Sequence, residues 1–163
     1  MRFLIATIAL TLITACGDGD TGRDAPSAPQ GAEAPAEEVR PSAAELQAQV
    51  AALAAPYNAA DYEAGRRAFA QCRSCHVIEA GARNRVGPNL HGIFGREIGS
   101  VEDFTYSQPV QDANFTWTPE QLDHWLENPQ TFLPGNRMAF AGVRDATQRR
   151  DLIAYLMVES AAE

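Results

Sequence analysis

Residues 72 to 76 read Cys-Arg-Ser-Cys-His, and this run constrains the chain more than any other feature of its sequence. Two cysteines separated by two residues on one turn of helix place both sulfurs on the same side of the chain, and a histidine follows directly. This spacing is the signature of c-type haem attachment, in which both thiols add to the haem vinyl groups and the imidazole binds the iron. The run therefore predicts a covalently bound haem.

Three other interpretations of this run are a redox-active dithiol, half of a zinc site, and chance. A zinc site needs a second pair of cysteine or histidine ligands at suitable spacing, and none follows in the sequence. A thioredoxin-like dithiol belongs in a βαβ setting, whereas the sequence on both sides of this run has helical patterns. Haem attachment is therefore favoured over all three.

A second axial ligand is usual for a haem that transfers electrons, and a thioether opposite histidine raises the reduction potential. The chain has three methionines, Met1, Met138 and Met157. Met138 lies in a loop that begins with Pro134 and Gly135, which break regular structure and let the chain pass over a flat cofactor. Met157 lies in a pattern typical of a packed helix face, and core packing is the alternative role for any methionine. Met138 is the predicted ligand.

The N-terminal region has the pattern of an exported protein. Residues 3–15 follow Arg2 and are apolar except for threonine, but they are too few to span a bilayer, so residues 1–15 are predicted to be a secretory signal. Residues 13 to 16 read Ile-Thr-Ala-Cys and resemble the bacterial lipobox, which predicts lipidation of Cys16. An ordinary signal peptide with a leftover cysteine is the alternative.

Residues 16–56 are predicted to be the lipidated N-terminus and a flexible Ala/Pro/acidic tether. The stretch from 17 to 56 has no aromatic residue and few large apolar ones, so it buries too little surface to offset the entropy of ordering. Leu46, Val50 and Leu53 have helical spacing, but a helix of this length is marginal on its own. Residues 57–163 are predicted to form one domain.

Helical patterns dominate residues 57–163. Tyr62, Gly65, Phe69 and Cys72 share one face of a predicted helix that leads into the haem motif. Glycine is unfavourable inside a helix, so Gly65 predicts the close approach of another helix. No sustained alternation of polar and apolar residues calls for a sheet.

Two further helix starts are marked by capping residues. Thr118, Pro119 and Gln121 predict a helix that ends at Asn128-Pro129. Asp145, with Gln148 three residues later, predicts the start of a C-terminal helix. We expect this last helix to pair with the one that precedes the haem motif.

Several short runs occur together in an order that one family shares. They are Cys72-Arg73-Ser74-Cys75-His76, Gly87-Pro88-Asn89-Leu90-His91-Gly92-Ile93-Phe94-Gly95-Arg96, Phe104-Thr105-Tyr106, Trp117, Leu126-Glu127-Asn128-Pro129, Pro134-Gly135-Asn136-Arg137-Met138 and Asp151-Leu152-Ile153-Ala154-Tyr155-Leu156. From about residue 61 onward the chain resembles class I cytochrome c, close to the mitochondrial and purple-bacterial soluble type. The resemblance implies an all-α fold, in which three or more helices and their loops wrap around one covalent haem c and the N- and C-terminal helices pack together.

The resemblance also implies a role for each matching residue around the haem. Cys72 and Cys75 would hold it through thioethers, with His76 as the proximal ligand and Met138 as the distal one. Pro88 matches the proline whose carbonyl accepts a hydrogen bond from the histidine ring, a contact that fixes ligand orientation.

Further matches concern the surroundings of the haem. Tyr106 and Trp117 match residues that hydrogen-bond a buried haem propionate, and Arg96 matches a cation that offsets its charge. Phe140 matches the aromatic residue that covers the haem beside the methionine loop. Plain core packing is the alternative role for these aromatic side chains.

The chain departs from the family pattern at three positions. Trp125 stands where a tyrosine usually lies near the methionine sulfur, and an indole can donate a hydrogen bond but cannot relay one. Asn136 replaces a common threonine, and Val110 stands about where an asparagine is usual. Reduction potential and pH behaviour therefore cannot be transferred from relatives.

The charge pattern also departs from that of the better-known family members, because the chain contains no lysine. From residue 57 to 163 there are ten arginines and fourteen acidic residues, and an acidic balance argues against a nucleic acid partner. A local positive rim that steers docking onto acidic partners is one interpretation of the arginines near the haem-facing segments, and an ordinary solvated surface is the other. These arginines are Arg73, Arg83, Arg85, Arg137 and Arg144.

The predicted function is outer-sphere transfer of single electrons by a monomeric carrier that is not an enzyme. By resemblance, the donor would be a quinol:cytochrome c reductase, and the acceptor a terminal oxidase or a photosynthetic reaction centre. The signal and Cys16 place the protein on the periplasmic side of a bacterial membrane, with the inner membrane favoured. The alternatives are a haem enzyme or gas sensor with an open distal position, and a fixed haem subunit of a respiratory complex.

Overall fold

The computed structural model describes residues 40–161. The predicted signal peptide, Cys16 and most of the predicted tether lie outside the described residues. Within that range the elements are helices α1 (Ala43–Ala51), α2 (Tyr62–Phe69), α3 (Gln108–Asp112), α4 (Pro119–Glu127), α5 (Pro129–Phe132) and α6 (Ala146–Glu159), with one 3₁₀ turn at Tyr57–Ala59. Between residues 40 and 161, β pairing is limited to one isolated bridge, Glu97 with Thr116. The predicted all-α fold is confirmed.

Helices α2 and α6 pack against each other, as the sequence predicted. The ring of Tyr155 on α6 lies 5.4 Å from the rings of both Tyr62 and Phe69 on α2. A Cβ at Gly65 would lie 2.7 Å from the Cβ of Tyr155, which is closer than side chains tolerate. The close approach of α6 is therefore the reason for a glycine at this position.

The predicted helix starts are also confirmed by their capping contacts. Thr118 accepts a hydrogen bond from the Gln121 amide at 3.2 Å, and Asp145 accepts one from the Gln148 amide at 2.7 Å. Asn128 ends α4 and its side chain accepts from the Thr131 amide at 3.3 Å, so the same residue begins α5. Each cap satisfies an amide that has no partner within its helix.

Helix α1 forms within the stretch that composition assigned to the tether. Val50 on this helix is fully buried in the same core as α6. Gln47 donates to the Ala60 carbonyl and accepts from the Tyr62 amide, both at 2.9 Å, so its side chain fastens α1 to the start of α2. A helix too short to be stable alone is thus stabilised by tertiary packing. The predicted tether upstream of residue 40 stays a prediction.

None of the helices between residues 40 and 161 combines the length and the apolar character needed to span a bilayer.

The hydroxyl of Tyr62 gives the fold a pH dependence that can be measured. It donates to the Glu159 carboxylate at 2.6 Å, and burial, followed by this contact, raises the pKa of Tyr62. Because the folded chain holds this proton more tightly than the unfolded chain, the stabilisation is present below about pH 10 and is lost as pH rises through the raised pKa.

We therefore expect Tyr62→Phe to lower the free energy of unfolding by about 1 to 2 kcal/mol at pH 8, and this difference to shrink towards pH 11. Urea unfolding of both proteins across this range measures the effect. Tyr57 and Tyr155 also have raised pKa values, so the pH dependence of wild-type stability does not isolate the effect of Tyr62. The difference in unfolding free energy between the two proteins does. A difference that stays constant with pH would contradict the assignment.

Candidate haem-binding site

The Cys-Arg-Ser-Cys-His run lies in tight turns just after α2. The helix ends at Phe69, whose carbonyl accepts from the Cys72 amide at 2.8 Å, and the Cys72 carbonyl accepts from the amides of Cys75 at 3.0 Å and His76 at 2.9 Å. The prediction that Cys72 shares a helix face with Tyr62 is therefore wrong. Bonds from residue i to i−3 alternate with bonds from i to i−4 here, so the chain forms tight turns instead of continuing the α-helix.

A cavity of about 550 Å³ lies beside these turns. Its volume falls within the range of about 300 to 1,000 Å³ that is usual for cofactor sites, and its walls are mainly apolar. The structure brings together at this cavity all the predicted site residues that lie in the described range. They are Cys72, Cys75, His76, Pro88, Arg96, Tyr106, Trp117, Trp125, Asn136, Met138 and Phe140.

The imidazole of His76 is held in one orientation. Its Nδ1 lies 2.8 Å from the Pro88 carbonyl oxygen, and since a carbonyl only accepts, Nδ1 carries the proton and Nε2 keeps its lone pair. Burial lowers the pKa of His76, with the carbonyl contact opposing this more weakly. The ring is therefore neutral at physiological pH, which is the form that binds metals.

The loop that carries Pro88 folds back onto the motif. The Gly87 amide donates to the Cys75 carbonyl at 2.9 Å, and a Cβ at Gly87 would lie 2.7 Å from Nδ1 of His76. Asn89 braces the same loop, because its side-chain amide donates to the carbonyls of Glu79 and Ala82, both at 2.9 Å. Sequence reasoning missed the role of Asn89, although an asparagine in a loop rich in glycine is a known signal of such bracing.

The Cys72 thiol does not have the lowered pKa of a redox-active cysteine. Burial, followed by the neighbouring Cys75, raises the pKa of Cys72 to about 11. Reactive dithiols depend on a lowered pKa, which makes the thiolate available at neutral pH. This environment disfavours the dithiol interpretation of the motif.

The zinc interpretation is also unsupported by the geometry. Within the part of the chain that the structure describes, no three side chains of the His, Cys, Asp and Glu types come close enough together to hold a metal ion.

The two methionines after residue 100 occupy different environments. Met138 is half-buried and lines the cavity, at the end of the loop that follows α5. Met157 lies on α6, is partly buried, packs against the hydrophobic core and does not line the cavity. The cavity thus contains one imidazole and one thioether as potential axial ligands.

Arg96 supplies positive charge at the cavity wall. Its guanidinium donates to the carbonyls of His91 at 2.8 Å and Asn89 at 3.0 Å, which fixes its position and leaves other N–H groups available. Burial lowers the pKa of Arg96, but a guanidinium stays charged in proteins. Burial also raises the pKa of Tyr106, so its hydroxyl stays protonated and can donate to an anionic group.

Four aromatic side chains form a closed ring beside the cavity. Trp117 lies edge-to-face with Trp125 at 5.5 Å and with Phe115 at 5.0 Å. Phe132 completes the ring, at 5.9 Å from Trp125 and 5.6 Å from Phe115. Edge-to-face contacts of this kind hold ring orientations, so the two tryptophans form a fixed apolar wall that excludes water.

These groups together fit a covalent haem. Two neighbouring thiols, a neutral imidazole with a free Nε2, a thioether, apolar walls and a buried cation are the groups that haem attachment, ligation and propionate binding require.

The positive rim stays one of two interpretations, because of the five arginines considered for it Arg137 alone lines the cavity. The side chain of Arg85 donates to the Arg73 carbonyl at 3.0 Å, and Arg137 lines the cavity and donates to the Thr105 carbonyl at 2.6 Å. Val86, next to Arg85, is 79% exposed although it also lines the cavity. Arg83 and Arg144 are exposed but do not line the cavity.

Comparison with known proteins gives a consistent result. The chain is 44% identical to cytochrome c2 of Blastochloris viridis over 107 residues, which are 66% of this chain and 84% of that protein. It is 57% identical to cytochrome c of Trypanosoma brucei brucei over 76 residues, which are 47% of this chain and 82% of that one. It is 36% identical to cytochrome c of Kluyveromyces lactis over 106 residues, which are 64% of this chain and 96% of that one. No family model matches the chain.

Proposed function

This chain belongs to the cytochrome c family, and on that premise we propose that it carries single electrons between membrane complexes on the periplasmic side of a bacterial cell envelope. It is an electron carrier rather than an enzyme, and its cofactor is one covalently attached haem c. The proposal adds the site residues, the partners and the membrane tether.

The observation that carries the site assignment is the meeting of an imidazole and a thioether at one apolar cavity beside two thiols. Bound haem would supply a one-electron couple at its iron. In this proposal, Cys72 and Cys75 form the thioether links, His76 is the proximal ligand and Met138 the distal one. The Pro88 carbonyl would hold the His76 ring with Nδ1 protonated, which leaves Nε2 free to bind the iron.

The other cavity residues set the environment of the cofactor. Arg96, Tyr106 and Trp117 offer a cation, a hydroxyl and an indole N–H, which suit the binding of a propionate. Trp125 and Phe140 exclude water from the cavity, and exclusion of water is one of the factors that set a reduction potential.

Docking is proposed to use the cavity edge next to the motif. Exposed Val86 lies there next to Arg85, whose side chain contacts the Arg73 carbonyl, and Arg137 lines the same cavity, so arginine charge lies near the proposed apolar contact. Such a surface suits weak, small interfaces with acidic partners, and the association rate should fall as salt rises. The proposed donor is a quinol:cytochrome c reductase, and the proposed acceptor is a terminal oxidase or a photosynthetic reaction centre.

The membrane tether rests on the sequence before residue 40. With Cys16 lipidated and α1 packed on the domain, the linker comprises residues 17–40, whose root-mean-square span as a flexible coil is about 25 to 30 Å. A monomeric domain on such a linker stays at high effective concentration near its partners. The inner membrane is the proposed site, because the proposed partners lie there.

Two measurements on protein extracted from membranes test this function. Mass spectrometry is expected to find one haem and the acyl groups of a lipidated Cys16 on the same chain, and carbon monoxide is expected not to bind the reduced protein. Uptake of carbon monoxide would favour a haem enzyme or gas sensor with an open distal position. A chain with haem but no acyl groups would refute the membrane tether and leave the electron-carrier function standing. Co-purification with a respiratory complex after detergent extraction would favour a fixed subunit.

A further inference from the structure

The side chain of Asn136 is buried, and its amide group forms hydrogen bonds to the main chain around Met138. Only 7% of this residue is exposed. Its Nδ2 donates to the carbonyls of Pro129 and Leu133, both at 2.8 Å, and its Oδ1 accepts from the Met138 amide at 2.9 Å. Both amide protons of Asn136 are thus used inside the loop, and none is left for a cofactor or for the thioether.

Gln130 binds the Met138 carbonyl, which belongs to the next peptide unit along the chain. Its Nε2 lies 3.1 Å from the Met138 carbonyl oxygen, 3.2 Å from the Asn136 carbonyl oxygen and 3.3 Å from Oδ1 of Asn136. Gln130 is exposed and lies on α5, which Asn128 caps. The amide and the carbonyl of Met138 are therefore both bound by side-chain amides, one buried and one at the surface.

We propose that Asn136 and Gln130 act as positioning residues, which fix the main chain of Met138 and so keep its thioether at the haem iron. This inference rests on the proposed assignment of Met138 as the distal ligand. A thioether is a neutral ligand and a weak acceptor, so it adds little to hold its own loop in place. Residues 133–141 contain no helix or strand, and Gly135 has φ +83°. The main-chain bonds of this segment include those from the Asn136 amide to the Leu133 carbonyl at 3.2 Å and from the Phe140 amide to the Met138 carbonyl at 3.0 Å, and the side-chain bonds add to them in holding it.

Substitutions that remove or keep a hydrogen-bond donor separate this positioning role from simple packing. Gln130→Glu keeps the shape of the side chain but removes its donor, whereas Gln130→Arg keeps a donor at the exposed position. Asn136→Ala removes all four bonds of the buried amide, including the one from Gln130. The matched control is Gln111→Ala, because Gln111 is also exposed and its Nε2 donates to a carbonyl, that of Tyr106 at 2.8 Å, outside the methionine loop.

Two measurements on the holoprotein report the position of Met138: the affinity of the ferric form for added imidazole, which competes with the thioether, and the hydrogen exchange rate of the Met138 amide. We expect Asn136→Ala to raise both about tenfold, and Gln130→Glu to raise both about threefold, which correspond to about 1.4 and about 0.6 kcal/mol of lost stabilisation. Gln130→Arg and Gln111→Ala should stay close to the wild type.

If Asn136→Ala and Gln130→Glu both bind imidazole within about twofold of the wild type, the positioning role is refuted, because lost bonds of this kind have a larger effect. That result leaves the proposed function intact, provided the wild type shows the methionine-to-iron charge-transfer band. Absence of the band from the wild type would instead refute Met138 as ligand, and with it this inference. Should Asn136→Ala fail to fold, the exposed Gln130→Glu variant still decides the question.

Discussion

Replacement of Gly87 by alanine is expected to push the His76 imidazole away from the Pro88 carbonyl. A Cβ on Gly87 would lie 2.7 Å from Nδ1 and 2.8 Å from Nε2 of His76, which is closer than a methyl group can approach. The φ angle of Gly87 is not positive, so the alanine backbone is unstrained and the collision with the ring acts alone. The ring must turn or the loop must move, and either change breaks the contact at 2.8 Å that orients the ligand.

We expect two measured consequences for Gly87→Ala. The yield of haem-loaded protein should fall several-fold, and the free energy of unfolding of what remains should drop by about 2 to 3 kcal/mol, as for other overpacked sites. The control is Val86→Ala, at the exposed neighbouring position. It should leave the yield of haem-loaded protein close to that of the wild type and change the free energy of unfolding by no more than about 0.5 kcal/mol. Equal spectra and equal urea midpoints for the two variants would contradict the predicted clash.

Gly65→Ala is expected to destabilise the pairing of α2 with α6. Alanine favours helix over glycine by about 1 kcal/mol, so an isolated helix would gain stability from this change. In the folded protein the new Cβ would lie 2.7 Å from the Cβ of Tyr155 and 2.8 Å from the main-chain carbon of Asp151. Because main chain cannot yield as a flexible side chain does, the two helices must separate, and the loss of packing outweighs the gain in propensity.

The net effect of Gly65→Ala should be a loss of about 2 to 4 kcal/mol, seen as a lower urea midpoint with an unchanged slope. Arg66→Ala is the control on the same helix, because Arg66 is half exposed and pairs only with Glu63 at the surface. That control should stay within about 0.5 kcal/mol of the wild type. A stabilised Gly65→Ala protein would show that the helices are further apart than described.

The features that sequence predicted correctly depend on local chemistry. Asp145 and Thr118 cap their helices with contacts that span three residues, so the pattern alone reveals them. The apolar spacing around Gly65 likewise predicted the helix pair, because a glycine inside a helix lowers its stability and is typical of places where another segment packs closely. The motif at residues 72 to 76 and the loop methionine were also predicted from residue types and spacing; the structure places them at one cavity, and their roles at a haem stay predictions.

The features that sequence missed depend on tertiary contacts. Helix α1 was predicted only as a marginal helix within the tether, because Leu46, Val50 and Leu53 are too few to form a core of their own, yet they suffice to pack on the core of the domain. Gln130 carries no signal at all, since an exposed glutamine on a short helix is ordinary until its contact with the Met138 carbonyl is seen. Local patterns cannot report such contacts.

The central claim is that Met138, not Met157, is the thioether opposite His76. The absorption spectrum of the ferric holoprotein tests it in wild type, Met138→Ala and Met157→Ala, with the methionine-to-iron charge-transfer band at the red end of the visible range as the readout. The account predicts that Met138→Ala abolishes the band and that Met157→Ala retains it, because Met157 packs in the core away from the cavity. Survival of the band in Met138→Ala, or its loss in a folded Met157→Ala protein, would contradict the account.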